Sequence, residues 1–166
     1  MYFKNLLPLF ALVLLAGTSC QKKMDIEKEK EAIQAVFEAE KAAYFKQDDK
    51  AMGEFWIKLP SSVKIAMSAN GQKRYDGWDN INAAYQEEIQ DTSWNRELVR
   101  ATFTNYQINV RNTAAWVLCE ANWEGIFMGD TISVTQTRIN VLEKDDGKWK
   151  FSLMAYYTIP PVPESK

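Results

Sequence analysis

The order of its periodic patterns is the feature that most constrains how this chain can fold. Apolar residues recur at helical spacing in three segments, at residues 26–46, 49–56 and 79–89. Residues 63–67 alternate as a short strand between the second and third of these segments. The remainder of the chain is rich in β-branched and aromatic residues, which favour strands. The pattern therefore predicts helices in the first half and a sheet in the second.

Four long strands are predicted in the second half, at residues 97–111, 114–127, 131–142 and 149–158. Gly129-Asp130 and Asp146-Gly147 mark hairpin connections, because such pairs accept the backbone angles of tight turns. Strands this long, with only three helices, predict an α+β fold. We expect three N-terminal helices packed on the concave face of a strongly curved antiparallel sheet, in one domain spanning residues 25–159.

Polar residues mark the breaks between the predicted elements. Gln47-Asp48-Asp49 separates the first two helices, and one of its aspartates is suited to cap the second helix. Asn70-Gly71 is a turn signal after the first strand, and Asp79 is the predicted cap of the third helix.

The first 19 residues are predicted to be a lipoprotein-type signal peptide. Lys4 precedes an apolar run at residues 6–16, which is too short to span a bilayer, and small residues lead into Cys20. The arrangement resembles a bacterial lipobox, with Leu15-Ala16-Gly17 placed two residues early, and an ordinary secretory signal is the alternative. Cys20 is the predicted lipidation site, residues 20–24 the lipidated start and tether, and residues 160–166 a disordered tail. The domain is then expected in the cell envelope, lipid-anchored to a bacterial membrane and periplasmic or surface-facing.

Composition excludes several classes of function. The net charge is −2 and the basic residues are dispersed, so a nucleic-acid partner is not expected. Histidine is absent, which excludes Ser-His-Asp and Cys-His catalysis and removes the commonest transition-metal ligand. With Cys20 lipidated, Cys119 has no partner for a disulfide and is interpreted as a small buried hydrophobe. We predict no metal site and no cofactor.

Three short motifs, which follow one another along the chain, are similar to those of a known superfamily. They are the break ending in Asp48-Asp49, the helix entry Gly77-Trp78-Asp79-Asn80-Ile81, and Asp146-Gly147-Lys148-Trp149 before the last strand. Together with the order of elements, they resemble the NTF2-like superfamily, in its SnoaL-like and DUF4440-like bacterial branch, over residues 25–157. The chain departs from that pattern at Gln47 and Asp48, where the first break usually has a glycine.

The resemblance implies a conical cavity between the helices and the sheet. Such cavities hold small apolar or amphipathic ligands, or serve isomerases and dehydratases. In the related ketosteroid isomerases, the general base would correspond to Ala66 or Met67 and a second acid to a position near Thr137. None of these side chains can perform those roles, so no catalytic residue is predicted.

Glu40 is the most informative polar residue, because on a helical wheel it lies between Val36, Phe37 and Tyr44 on the predicted inward face. A carboxylate in that place must be partnered or protonated. We predict that Glu40 contacts a ligand, and a structural ion pair or a rotated helix is the alternative.

The strand at residues 114–127 has two distinct faces. Trp116, Glu120 and Glu124 belong to one face, and Cys119 and Trp123 to the other. If the first face meets the cavity, the two glutamates join Glu40 as acids. If it faces outward, they pair across the ladder with Arg138 or Arg100. Gln136, Arg138 and Asn140 similarly share a face, which suits a solvated surface, a dimer surface or a pocket wall.

The predicted ligand-binding residues are acids and aromatic side chains expected to border the cavity: Glu40, Tyr44, Trp56, Tyr85, Glu120 and Tyr156. The function predicted first is non-catalytic binding of a small apolar or amphipathic ligand by a lipid-anchored domain. Two alternatives remain open at this point. One is a carboxylate-based isomerase or hydro-lyase, and the other is a homodimeric interaction module that uses a sheet surface exposing Trp116 or Trp123.

Overall fold

The computed structural model describes residues 24–90, 96–127 and 129–159. The predicted signal peptide, Cys20 and the tail at residues 160–166 lie outside the described residues, so those assignments stay predictions. None of the helices described is both long enough and apolar enough to cross a membrane.

Three helices form where the helical periodicity predicts them: α1 (Ile26–Phe45), α2 (Asp49–Gly53) and α3 (Trp78–Gln90). The carboxylate of Asp25 caps α1 by accepting a hydrogen bond from the Lys28 amide. Two predicted boundaries need correction. Helix α2 ends three residues before Trp56, and α3 begins before Asp79, which lies in its first turn and is not its cap.

In the break between α1 and α2, the residue with left-handed backbone angles is Gln47 and not a glycine. Gln47 has a φ of 55°, a conformation that costs free energy for a residue with a Cβ. The Asp48 side chain accepts from the Ala51 amide at 2.9 Å and caps α2. The chain therefore still turns between the two helices, with Gln47 in a conformation that glycine adopts more easily.

Within the described residues, six strands form one curled, open sheet. Their order is β2-β1-β6-β5-β4-β3, and they are β1 (Val63–Ser68), β2 (Gly71–Asp76), β3 (Arg96–Arg111), β4 (Ala114–Phe127), β5 (Asp130–Asp145) and β6 (Lys148–Ile159). The prediction of an antiparallel sheet is wrong at one junction, because β1 pairs with β6 in parallel. Strand β2 was not predicted. It pairs with β1 through the Asn70-Gly71 turn, and its exposed polar residues carry no apolar alternation.

Irregular pairing accounts for the curvature of the long strands. Register shifts occur twice in the β3–β4 pair and once in the β5–β6 pair. Such bulges bend a strand and increase its twist. The β5–β6 hairpin closes at Asp146-Gly147, where both residues have positive φ, as the sequence predicts.

The helices pack on one face of the sheet, which we call the inner face, and the core lies between them. On β4 this face carries Val117, Cys119, Ala121 and Trp123, while Trp116, Leu118 and Glu120 lie on the outer face. From α1, Phe37 makes edge-to-face contacts with Phe103 and Phe151, at centroid distances of 5.6 and 5.2 Å. These contacts fix α1 against the strands and determine which of its residues point toward the sheet.

Candidate functional site

A pocket of about 200 Å³ opens between the C-terminal half of α1, α3 and the inner face of the sheet. Three buried charged residues, Glu40, Lys64 and Arg138, line it. More exposed residues such as Ile132 and Glu88 lie toward solvent. The pocket thus combines a charged inner end with a partly apolar opening, and each of the three charges comes from a different element.

Glu40 lies on the buried side of α1, as its position on the helical wheel predicts, and is only 5% exposed. Burial raises the pKa of its carboxyl group, Arg138 and Lys64 oppose that rise, and Glu88 adds to it. Its Oε2 atom has no hydrogen-bond partner among the described residues. An acid with a raised pKa and an unused oxygen in a pocket is suited to contact a ligand.

Lys64 reaches the pocket from β1, and its ammonium group is held by α3. Its Nζ lies 3.8 Å from Glu88 Oε2 and 3.7 Å from the centre of the Tyr85 ring, in cation–π contact. Burial lowers the pKa of Lys64, and the nearby Glu88 and Glu40 oppose that change. The Tyr44 hydroxyl donates to the other oxygen of Glu88. Glu88 therefore links the lysine on the sheet to the tyrosine on α1.

Arg138 reaches the pocket from β5 and is 3% exposed. One guanidinium nitrogen lies 2.8 Å from the sulfur of Met154, and the rings of Phe37 and Phe103 lie 5.9 and 5.1 Å from the guanidinium carbon. The Nε atom has no hydrogen-bond partner among the described residues. A buried guanidinium that donates to a thioether, which is a weak acceptor, retains capacity to bind a stronger one.

Trp123 of β4 forms much of the apolar wall. Its ring stacks on Phe45 at 6.1 Å and meets Tyr44 edge-on at 5.5 Å. Its indole nitrogen donates to Gln136 at 3.1 Å, and the Gln136 amide donates in turn to Thr158. This chain of hydrogen bonds crosses β4, β5 and β6, and it fixes the orientation of the wall.

Four of the six predicted ligand-binding residues line this pocket, namely Glu40, Tyr44, Tyr85 and Tyr156. Burial raises the pKa of both Tyr85 and Tyr156, so their hydroxyl groups stay neutral at physiological pH. Their contact with a ligand stays a prediction, but their shared location is a feature of the fold.

The other two predicted ligand-binding residues lie elsewhere. Trp56 is fully buried, and it packs against Tyr85 and Phe151 without lining the pocket. Glu120 lies on the outer face, where it accepts from the Asn105 amide at 2.8 Å. Glu124 is bound by Arg100, one of the two partners considered, and it lines the same pocket as Arg138. The hypothesis that Glu120 joins Glu40 in the cavity is therefore wrong.

Lys64, Glu88 and Arg138 were not among the predicted site residues. Arg138 was assigned to a face together with Gln136, and alternation alone does not reveal which face is buried. Lys64 stands in a short alternating strand where a charged residue normally faces solvent. Glu88 lies on α3 between the apolar positions, and only its proximity to Lys64 reveals its place in the pocket.

The described side chains include no cluster of three His, Cys, Asp or Glu residues placed to hold a metal ion. Cys119 is buried on the inner face, and burial raises the pKa of its thiol to about 11. The thiol is therefore protonated at neutral pH. Among the described residues, the groups of the pocket that are available for chemistry are three acids, two cations and three tyrosine hydroxyls.

No protein-family model and no curated protein matches the sequence. Solved structures do match the fold. An NTF2-like protein of unknown function from Shewanella oneidensis MR-1 is 22% identical, with a TM-score of 0.58 over 78% of this chain and 98% of that one. A ketosteroid isomerase-like protein from Erwinia carotovora atroseptica is 15% identical, with a TM-score of 0.61 over 79% of this chain and 96% of that one. LinA is 17% identical, with a TM-score of 0.66 over 85% of this chain and 94% of that one. At these identities the likeness concerns the fold alone.

Proposed function

We propose that this chain, which has the NTF2-like fold, binds a small apolar or amphipathic molecule in the pocket between its helices and its sheet without transforming it. The observation that carries this proposal is the pairing of a charged inner end with the apolar wall around Trp123 in a cavity of about 200 Å³. Ligand sites typically combine apolar walls with a few convergent polar groups. The volume is below the usual range for drug-sized molecules, which favours a small ligand.

The isomerase or hydro-lyase alternative needs two acids that converge on a substrate. Glu40, Glu88 and Glu124 line the pocket, and Glu124 is bound by Arg100. Glu88 already accepts a hydrogen bond from Tyr44 and lies beside the Lys64 ammonium. Both oxygens of Glu88 are therefore already engaged by neighbouring groups. This arrangement favours binding over proton abstraction.

Native mass spectrometry of the protein purified from its own host tests the binding proposal. We expect a stoichiometric small-molecule adduct that is released on denaturation. Val134→Trp fills the pocket from β5 and should remove the adduct, whereas Thr137→Trp places the same ring on the outer face and should retain it. An adduct that survives Val134→Trp in a folded protein would locate the ligand elsewhere. The absence of any adduct in the wild type would contradict the proposal.

A lipid anchor at Cys20 would place this pocket at the surface of a bacterial membrane, in the cell envelope. The support is the sequence pattern before Cys20, with its apolar run and small residues. Mass spectrometry of the mature N-terminus tests this part separately. We expect a diacylglyceryl-modified Cys20, and an unmodified chain starting at another residue would contradict it.

The outer face of the sheet favours a second role, as an interface between two copies of the chain. Trp116 of β4, Ile139 of β5 and Tyr157 of β6 are 46%, 53% and 41% exposed on neighbouring strands of this face. Contiguous exposed apolar surface often marks an interaction site. A symmetric dimer would use the same patch twice.

Analytical ultracentrifugation of matched variants tests the dimer. Ile139→Lys should convert a dimer to a monomer, whereas Leu59→Lys, at an equally exposed apolar residue in a loop, should leave the dimer intact. A wild-type monomer would contradict this second role without affecting the pocket.

A further inference from the structure

The inner end of the pocket holds two cations that differ in how well they are compensated. Lys64 has Glu88 at 3.8 Å. Arg138 forms no ion pair with any of the described carboxylates, and its Nε has no acceptor among them. A buried charge without a close counter-ion costs free energy. Of the two described cations in this pocket, Arg138 is therefore the one with unused hydrogen-bonding capacity.

Glu40 is the buried acid that interacts electrostatically with Arg138, but it does not form a close pair with it. Burial favours the neutral form of its carboxyl group, which is a hydrogen-bond donor. Glu124 also lines the pocket, but it is paired with Arg100. When Glu40 is neutral, the described groups at the inner end are two cations, Lys64 and Arg138, and one carboxylate, Glu88, which leaves one positive charge in excess. One anionic group in the pocket would compensate it, whereas a dianion such as a phosphate monoester would exceed it.

Guanidinium groups bind carboxylates through two parallel hydrogen bonds. The apolar wall at Trp123 and Val134 lies next to this end of the pocket and can cover a short hydrocarbon body. Met154, whose sulfur contacts Arg138, also lines the pocket and is flexible enough to make room for an oxygen ligand.

We propose, on the basis of the binding function above, that the pocket selects small amphipathic monocarboxylates. The carboxylate accepts hydrogen bonds from Arg138 and shares a proton with the unpartnered Oε2 of Glu40, and the hydrocarbon body lies along Trp123 and Val134. Specificity then comes from the charge of the head group, and the length of the hydrocarbon chain is limited by the volume of the pocket.

Binding is coupled to a proton in this arrangement. An anion beside Glu40 disfavours ionisation of Glu40, so ligand binding takes up a proton once the pH exceeds the pKa of Glu40 in the free protein. Affinity therefore falls as the pH rises through that pKa. The described titratable and charged groups around Glu40 come from several elements: Tyr44 of α1, Lys64 of β1, Tyr85 and Glu88 of α3, Tyr106 of β3, Cys119 and Glu124 of β4, Arg138 of β5 and Tyr156 of β6. The Glu40→Gln variant separates the contribution of Glu40 from theirs.

Isothermal titration calorimetry with hexanoate, hexanamide and hexylamine tests the proposal, because the three probes share a chain and differ in head-group charge. We expect hexanoate to bind at least about tenfold more tightly than hexanamide, and hexylamine not to bind. Hexanoate affinity should fall as the pH is raised through the pKa of Glu40, above the range in which hexanoate itself is protonated, and Glu40→Gln should abolish that fall. Arg138→Met should lower the affinity for hexanoate at least about tenfold and leave the affinity for hexanamide unchanged. Arg111→Met, at an exposed arginine of β3, is the matched control and should change neither of these two affinities.

The outcomes separate this inference from the binding function on which it rests. If hexanamide or hexylamine binds as well as hexanoate, carboxylate selection is wrong and the pocket is still a binding site. If none of the probes binds, the inference is overturned, and the adduct from the native host alone decides the binding function. Full hexanoate affinity in a folded Arg138→Met protein would likewise overturn it.

Discussion

Replacing the two buried charges of the pocket should affect stability in a way that single substitutions do not. Glu40→Met, Arg138→Met and the double variant form a cycle in which each change keeps a similar side-chain length. Both residues are at least 95% buried, and each stabilises the charge of the other electrostatically, without a close ion pair that would offset the whole cost of desolvation. We expect the double variant to be at least as stable as the wild type without ligand, and each single variant to be less stable at pH 8.

The magnitudes follow from burial. Replacing a buried ion pair with apolar residues of similar volume is often neutral or stabilises a protein by about 1–4 kcal/mol, whereas stranding one of the two charges costs about 3–5 kcal/mol. The two single variants should differ in their pH dependence. In Arg138→Met the stranded Glu40 can take up a proton, which becomes easier by about 1.4 kcal/mol for each pH unit below its pKa. In Glu40→Met the stranded Arg138 cannot lose its charge.

Urea unfolding followed by circular dichroism at pH 5 and pH 8 measures these differences. Burial raises the pKa of Glu40 above its ordinary value of 4.5, so its protonated form favours the folded state. In the wild type this contribution is fully present below pH 4.5 and is lost as the pH rises through the folded-state pKa. Arg138→Met should therefore recover stability at pH 5, and Glu40→Met should not. Equal losses for Arg138→Met at both pH values, or a double variant less stable than either single variant, would refute this reasoning.

Three further substitutions test other parts of the structure. Gln47→Gly relieves the strain of left-handed backbone angles at a residue with a Cβ and should raise the free energy of unfolding by roughly 0.5–1 kcal/mol. Lys46→Gly, at an ordinary right-handed position, should lower it. If urea unfolding shows no gain for Gln47→Gly, the strain at Gln47 is contradicted. Glu29 accepts hydrogen bonds from Lys144 and Trp149, and these bonds lower its pKa. Glu29→Gln should therefore lower the free energy of unfolding by about 1 kcal/mol at pH 7, and its difference from the wild type should shrink as the pH falls below 4.5. A loss of stability that does not depend on pH would exclude the carboxylate as its cause. Cys119 is buried with a thiol pKa of about 11, so peptide mapping should find no alkylation of it by iodoacetamide at pH 8 until urea is added; rapid labelling of the folded protein would show that the inner face opens.

The sequence predicts the fold better than the site, for a physical reason. Helical and strand periodicity are local, so the bounds of α1 and of the four long strands are readable from the residues themselves. The parallel pairing of β1 with β6 joins segments about ninety residues apart, and no local signal encodes it. Strand β2 could not be predicted, because an exposed polar strand at the edge of a sheet has no alternation of apolar and polar residues.

The site depends on which face of each element is covered. Glu40 is identifiable because its neighbours on α1 are apolar on both sides of it. Arg138 is equally buried, but its strand alternates polar residues, and that pattern fits a solvated face as well as an inner one. The choice between Trp116 and Trp123 as the inward tryptophan likewise required the packing of α1 on the sheet. Tertiary contacts, and not residue type, determine which charges meet in the pocket.

The most direct test of the binding account uses two tryptophans of β4 as internal probes. In a ¹⁵N–¹H correlation spectrum, each indole N–H gives a separate signal, assignable with Trp123→Phe and Trp116→Phe. Trp123 lines the pocket and donates to Gln136, whereas Trp116 lies on the outer face. Adding the molecule that co-purifies from the host, or hexanoate, should shift the Trp123 signal in a saturable way and leave the Trp116 signal in place. A saturable shift of Trp116 with no change at Trp123 would contradict the account and would locate the binding surface on the outer face of the sheet.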